Sequence, residues 1–277
     1  TVREELDVLL RTCIGNPGFW IPAFAGMTKE SHGEAMQHFD GTSFSDPPIF
    51  LAFSERGYPN QRRHDFLKRY GLRAEDLILV NQVHGTDVVV VGKSSKVSGG
   101  VQADALVTSV AGPILGVLTA DCVPVFFWDK SKKVAGIAHA GWRGLKAGIL
   151  HQVLQVFCKH FHSDSSAIQT LLGPAIRRCC YEVGEEFQAY FPSHYRSLDS
   201  VAGGNQRVAA TTQKGRVDLI GAACEQLLNE GVLAQNIRDS GICTSCQNQR
   251  FFSARREGTS ERILSIIQIS ASGSFSL

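Results

Sequence analysis

Three short segments of the 277-residue chain share a pattern that packing alone does not require. Leu77–Val80 runs into Asn81-Gln82-Val83-His84-Gly85, Pro113–Thr119 into Ala120-Asp121-Cys122-Val123-Pro124, and Val134–Ala138 into His139-Ala140-Gly141-Trp142-Arg143-Gly144. In each, an apolar run ends in a compact polar group beside Gly or Pro, and function concentrates where strands give way to loops. Were the three ends to meet, His84, Cys122 and His139 would offer two imidazoles and a thiolate, a donor set suited to Zn²⁺. Three protein ligands leave a fourth position open, as in catalytic zinc sites. No short CxxC or HxxxH signature joins them, since 37 and then 16 residues intervene. On spacing alone the plainer reading is a half-buried thiol and two hydrogen-bonded histidines at loop mouths. Glycines 85, 141 and 144 allow close backbone approach or positive φ.

Arg143 lies four residues past His139, between Gly141 and Gly144 and just before an expected helix. A guanidinium with free N–H groups at a helix start could hold phosphate, and a surface ion pair with a carboxylate is the equal alternative. Arg255-Arg256, behind Phe251-Phe252-Ser253, either face the same pocket or form a solvated pair. Cys243-Thr244-Ser245-Cys246 is a C-x-x-C standing alone, with no second pair in view to close a tetrahedral site. His160-Phe161-His162 at a helix end reads as solvated. With Met27 and Met36 the only methionines, a blue-copper site is poorly supported.

The elements that must position these residues are mostly strands. Leu77–Val80, Asp87–Val91, Ala105–Thr108, Pro113–Thr119, Val123–Trp128 and Val134–Ala138 are short aliphatic runs between turns, and their continuous hydrophobicity predicts burial on both faces. Ile168–Leu172, Asn236–Ile242 and Ile263–Ile269 continue the series. Helices are expected at Arg62–Tyr70, ended by Gly71, and at Gly144–Phe161, whose apolar residues recur at three- and four-residue steps. Two more are expected at Val183–Phe191, before Pro192, and Val217–Leu228, stopped by Gly231. Many connections between strands are too short for parallel crossovers, so a mixed sheet system covered by helices is expected, built as one domain. Residues 1–47 show no period and read as an N-terminal arm, with 48–277 as the folded domain.

Composition narrows the classes. Hydrophobic residues make up 43% of the chain and charged residues 19%, which excludes a disordered or low-complexity protein. A net charge of +2 gives no electrostatic reason to expect nucleic acid or an anionic membrane. No apolar run reaches the roughly 20 residues of a membrane span. Gly18–Met27 contains Pro22 and has no basic segment immediately before it, so it does not read as a signal peptide. A reducing, cytoplasmic compartment is therefore expected, with the eight cysteines as thiols or ligands. Nothing argues for more than a monomer.

Taken together, the segments resemble a family. Gln82-Val83-His84-Gly85, Ala103-Asp104-Ala105 with Thr108, the Cys122 and His139 segments, Gly173-Pro174-Ala175-Ile176, Tyr181-Glu182-Val183-Gly184, Cys243-Thr244 and Phe251-Phe252-Ser253-x-Arg255-Arg256 occur in its order. The chain is similar over about residues 50–270 to the YfiH-type laccase-domain proteins, described as purine nucleoside phosphorylases, and residues 13–32 resemble an insertion. The resemblance implies a mixed α+β fold, a single-domain four-layer α/β/β/α sandwich with mixed sheets. It also implies a zinc site at His84, Cys122 and His139, with copper as the other ion to consider. The implied activity is phosphorolysis of adenosine, inosine and S-methyl-5′-thioadenosine, with adenosine deamination as a side activity.

On that reading the partners are purine nucleosides and phosphate. Cys122, His139, Asp121 and Arg143 carry the chemistry, Asp121 as a proton shuttle and Arg143 as an anion site, while Asn81, Gln82, Arg143, Arg255 and Arg256 are candidates for holding substrate. Two alternatives use the same residues: a metal-free cysteine hydrolase or deamidase with Cys122 activated by His139, and a non-catalytic zinc-binding module.

Overall fold

A computed structural model describes residues 38–40, 49–93, 100–198 and 214–270. Its first half is strand-rich: β1 (His38–Asp40), β2 (Ile49–Phe53), α1 (Arg63–Arg69), β3 (Leu77–Ile78), β4 (Val88–Val91), β5 (Ala105–Thr108), β6 (Ile114–Thr119), β7 (Val123–Asp129) and β8 (Val134–Ala140). Two helices follow, α2 (Trp142–Ala147) and α3 (Ile149–Gln155), then β9 (Gln169–Leu172), β10 (Glu182–Gly184), α4 (Phe187–Tyr190), β11 (Tyr195–Ser197) and β12 (Lys214–Val217). The chain continues through α5 (Leu219–Asn229), β13 (Ile237–Asp239), α6 (Ala254–Glu257) and β14 (Ile263–Ile269).

The strands form a five-stranded sheet ordered β1-β2-β14-β6-β3 and a six-stranded sheet ordered β13-β9-β7-β8-β5-β4. A small antiparallel ribbon, β10-β12-β11, stands beside them. Both large sheets are mixed: β3–β6, β4–β5 and β13–β9 are parallel pairs and the remaining pairs are antiparallel.

Alternation along the strands sorts side chains into three layers of core. Phe126, Trp128 and Ile137 of the six-stranded sheet meet Leu115, Val117, Ile263 and Ile267 of the five-stranded sheet. On the outer face of the first sheet, Val125, Phe127 and Ala138 pack with Leu145, Ile149, Val153 and Leu227 of α2, α3 and α5. Beyond the second sheet, Phe66 and Leu67 of α1 cover Phe50, Ile114, Leu264 and Ile266. The order is helix, sheet, sheet, helix, as expected. Every residue of β7 and β8 is buried, which is why these strands read as unbroken apolar runs.

Two expected helices are corrected. Gly144–Phe161 is not one helix: Gly148 takes φ +88°, its N–H bonds back to the carbonyls of Gly144 and Leu145, and the chain restarts as α3. The apolar period survives the break because both halves face the same sheet. Val183–Phe191 is also divided. Glu182–Gly184 pairs antiparallel with Lys214–Arg216, and only Phe187–Tyr190 is helical. Val217 ends a strand, and α5 begins after Asp218, whose carboxylate accepts from the Gly221 N–H at 3.0 Å. Of the expected N-terminal arm, His38–Asp40 pairs with β2, while Gly18–Met27 and the expected insertion at 13–32 lie outside the described residues. Among the described residues no helix is long and apolar enough to cross a membrane.

A Cβ at residue 148 would meet no atom closer than 3.8 Å, so only its backbone conformation resists substitution. Gly148→Ala should therefore lower the unfolding free energy by about 1–2 kcal/mol without loss of structure, measured by urea denaturation with circular dichroism.

Candidate active site

The short link Ala120–Cys122 carries the chain from β6 in one sheet to β7 in the other, so its turn sits where the two sheets part. β7 is registered on β8 with Val123 opposite Ala140 and Pro124 opposite His139, which sets Cys122 beside Gly141. The loop after β3 brings His84 over the same point. Candidate ligand atoms of His84, Cys122 and His139 lie within 4.8 Å of one another, with the His84 Nε2 4.0 Å from the Cys122 Sγ. The imidazole rings stand edge to face, their centroids 4.7 Å apart.

Close packing here depends on residue 141 having no side chain. A Cβ at Gly141 would stand 3.0 Å from both the Cys122 Sγ and the His84 Cδ2, and one at Gly144 would stand 3.2 Å from the Gly85 carbonyl oxygen. The positive φ angles fall elsewhere, on His84 (+61°) and Asp121 (+88°). Left-handed backbone costs a residue with a side chain about 1–2 kcal/mol, so surrounding bonds must hold both in place.

For His84 the holding group is Asp104, a completely buried carboxylate. It accepts hydrogen bonds from three successive backbone N–H groups, Val83 at 3.2 Å, His84 at 3.0 Å and Gly85 at 2.7 Å, and from His139 Nδ1 at 2.8 Å. Burial disfavours its charge, but the bonds from His139, Gly85 and Val83 outweigh this and keep the carboxyl below its ordinary range. With Nδ1 committed to Asp104, His139 keeps Nε2 free to ligate, the carboxylate–histidine arrangement that orients imidazole ligands.

For Asp121 the partners come from three distant segments. Its carboxylate accepts from the Thr244 hydroxyl at 2.7 Å and the Arg255 backbone N–H at 2.6 Å, while its carbonyl accepts from the Ile176 N–H at 2.9 Å. The residue read as a proton shuttle therefore has both carboxylate oxygens engaged in pinning loops.

Burial opposes ionisation of Cys122, yet His139 and His84 bring its thiol down to about 7. Burial likewise opposes a charged His139, and Asp104 and Cys122 raise it to about 9. Such a set favours the thiolate, the form that binds metals or attacks electrophiles. Two nitrogens, one sulfur and a cradle kept clear by Gly141 fit a small thiophilic cation.

The remaining predicted residues are placed as follows. Gln82 spends its amide on the backbone of Leu118, donating to the carbonyl and accepting from the N–H, both at 2.8 Å, and so latches the His84 loop to β6. Asn81 is exposed and bridges to Gln102. Arg143 is exposed with its guanidinium 4.4 Å from the Trp142 ring centre. Arg255 stacks 5.0 Å from the Tyr181 ring and donates to the Glu182 carbonyl, and Arg256 lines the same cleft of about 410 Å³. The three candidate ligands do not line that cleft; Arg255, through Asp121, connects it to them. His160 and His162 are exposed, as expected.

The family model described as multi-copper polyphenol oxidoreductase laccase matches residues 58–270. The chain belongs to this family. Among its laccase-domain relatives, adenosine deaminase RL5 from an unknown prokaryotic organism is 34% identical over 68% of this chain and 72% of its own. Purine nucleoside phosphorylase YlmD from Geobacillus stearothermophilus is 32% identical over 88% of this chain and 89% of its own. The crystal structure of YlmD superposes with a TM-score of 0.72, covering 86% of this chain and 98% of that one at 28% identity. The Bacillus licheniformis protein YfiH, at 22% identity and a TM-score of 0.73, has the same fold, covering 86% of this chain and 98% of its own.

Two residues of the site were not singled out from the sequence. Asp104 lies within the Ala103-Asp104-Ala105 motif, where a lone carboxylate entering a buried strand is itself a signal. Tyr181, almost fully buried, has its phenol pushed up to about 12, first by burial and then by the nearby Cys122 thiolate, with Arg255 and Arg143 opposing. The Cys122, Arg255 and Arg143 charges thus all act on Tyr181, and of the two arginines Arg255 lies over its ring. Asp104→Asn should weaken binding of an added divalent metal about 10–100-fold, read by competition with a chromogenic chelator. Gly141→Ala should weaken it by about tenfold or more while circular dichroism stays unchanged, since the new methyl strikes the ligands and not the core.

Proposed function

We propose that this chain is a zinc-dependent purine nucleoside phosphorylase acting on adenosine, inosine and S-methyl-5′-thioadenosine, with adenosine deamination as a side activity. The observation that carries the reading is the convergence of His84, Cys122 and His139 on one point, braced by Asp104, beside a cleft bearing Arg255 and Arg256. The names of the relatives, purine nucleoside phosphorylase and adenosine deaminase, support both activities. A zinc ion held by these three residues would supply Lewis acidity at an open coordination position.

The chain's own groups account for the rest. Phosphorolysis joins a phosphate oxygen to the anomeric carbon as the bond to the purine nitrogen breaks, so it needs a seat for an anion and a proton for the leaving base. Arg143 and Arg255, whose charges both act on Tyr181, are assigned the anion. Tyr181 remains protonated through neutral pH and is assigned the proton that accompanies the purine. Asp121 holds the Cys122 turn in place, and Gln82 does the same for the His84 loop. We place the reaction in a reducing, cytoplasmic compartment, in keeping with seven described cysteines of which none is in a disulfide.

A second reading draws on two of the same residues. Cys122 near 7, His139 near 9 and Asp104 behind it form a nucleophile, base and orienting carboxylate, the arrangement of a cysteine hydrolase. A non-catalytic zinc module is the remaining outcome.

Release of adenine or hypoxanthine from nucleosides should require inorganic phosphate and cease on chelation, returning with added Zn²⁺. Turnover of an amide by metal-free protein would favour the hydrolase, and no turnover of any purine nucleoside would favour the module. Tyr181→Phe should lower kcat by about 100-fold or more with metal content unchanged, whereas Arg143→Ala should raise the KM for phosphate about tenfold.

A further inference from the structure

Some distance along the chain from the trio, four more cysteines meet. Cys179-Cys180 lie in the turn between β9 and β10, and Cys243 and Cys246 in the loop after β13, with Cys243 bridged to Ala175. All four Sγ atoms lie within 4.8 Å of one another. Cys179 is 3.6 Å from Cys243 and 3.5 Å from Cys246, and Cys180 is 3.4 Å from Cys246. The C-x-x-C that stands alone in sequence thus finds its second pair in space.

We propose that Cys179, Cys180, Cys243 and Cys246 form a second metal site, a closed four-thiolate zinc centre. The spacing decides the kind of site. Zn–S bonds of about 2.3 Å in a tetrahedron put the sulfurs about 3.8 Å apart, close to the values here. An iron–sulfur cluster has several metal ions between its cysteines and needs them wider apart, so a single ion fits. Four protein ligands leave no open position, which marks the centre as structural. The Cys246 N–H points at the Cys243 Sγ from 3.5 Å, the kind of donor that supports a thiolate ligand. Such a centre carries excess negative charge, and Arg216, Arg255 and Arg256 line the cleft against Cys179 and Cys180.

The consequence reaches the trio. Thr244, between the two ligands of the C-x-x-C, donates to Asp121, whose neighbour is Cys122. Metal in the cysteine cluster would fix the loop that fixes that turn. The proposal stands independently of nucleoside turnover, because both sites are read by metal content.

Protein purified under reducing conditions without added metal should contain two zinc ions per chain by elemental analysis, falling to one in Cys122→Ala. The zinc left in Cys122→Ala should show four sulfur ligands and no nitrogen by X-ray absorption. Cys246→Ser should lose the other equivalent and keep a zinc with mixed nitrogen and sulfur ligands. If Cys246→Ser fails to fold, the Cys122→Ala spectrum still decides. The proposal is overturned if the zinc in Cys122→Ala is absent or nitrogen-bound, if iron replaces it, or if peptide mapping finds Cys179 or Cys180 disulfide-bonded to Cys246. Loss of nucleoside phosphorolysis with two zinc ions retained would count against the catalytic reading and leave this centre standing.

Discussion

A carboxylate buried as completely as Asp104 costs several kcal/mol in lost hydration unless its lone pairs are used. Here they are: three consecutive backbone N–H groups and one imidazole nitrogen converge on its two oxygens. The three N–H groups point the same way only because His84 adopts a left-handed conformation, which turns the loop into an anion-binding concavity. The carboxylate and the strained histidine therefore require each other. Without the charge, His84 would have no reason to hold φ near +61°; without that conformation, the charge could not be buried. One interaction thus fixes the loop of one imidazole and the tautomer of the other.

Strand pairing extends this constraint into the sheet. The Asp104 N–H donates to the Asp87 carbonyl, and the His139 N–H donates to the Asp104 carbonyl at 2.7 Å. Asp104 and His139 are thus locked by both main chain and side chain, and Ala105 continues opposite Ala138 in the β5–β8 register. A one-residue slip of β8 would send His139 to the opposite face and break its bond to Asp104.

The parts of this fold that were legible in sequence are those where one physical signal dominates. β7, β8 and β14 are long and apolar on both sides, so burial announces them, and Val123–Trp128 and Ile263–Ile269 need little or no adjustment. α3 was legible in its period, but the break before it was not, because Gly148 inside an apolar repeat looks like a tolerated glycine until its φ is known. Val183 and Phe187 have helical spacing yet belong to different elements, since pairing with β12 outweighs local preference. At the site, the three candidate ligands were legible because each lies at the end of an apolar run, His139 near the end of β8 and His84 and Cys122 in the loops after β3 and β6. Asp104 was obscured by being an ordinary residue in a short motif, and Gln82 looked like a binding residue because an amide beside a histidine gives no hint that backbone will occupy it. The cysteine cluster was hidden for a simpler reason: its halves are more than 60 residues apart, and it takes the β9–β13 pairing and the Ala175–Cys243 bridge beyond it to bring them together.

The location of the chemistry follows from the layering. Two packed sheets must be connected, and wherever a chain leaves one sheet for the other it gives up ladder hydrogen bonds and needs other partners for its backbone. The Ala120–Cys122 link makes that crossing in three residues. Its partners come from Ile176 and Thr244 on loops and from Arg255 in α6, all beyond the sheets, so the crossing gathers distant segments around itself. A cysteine at the end of such a link is held by many distant contacts yet still faces the gap between loops. Rigid support and access to small molecules usually compete, because burial supplies the first and removes the second. The change of sheet reconciles them: Asp121 takes the strain and the bonds, and Cys122, one residue on, keeps its sulfur free for His84, His139 and whatever binds between them.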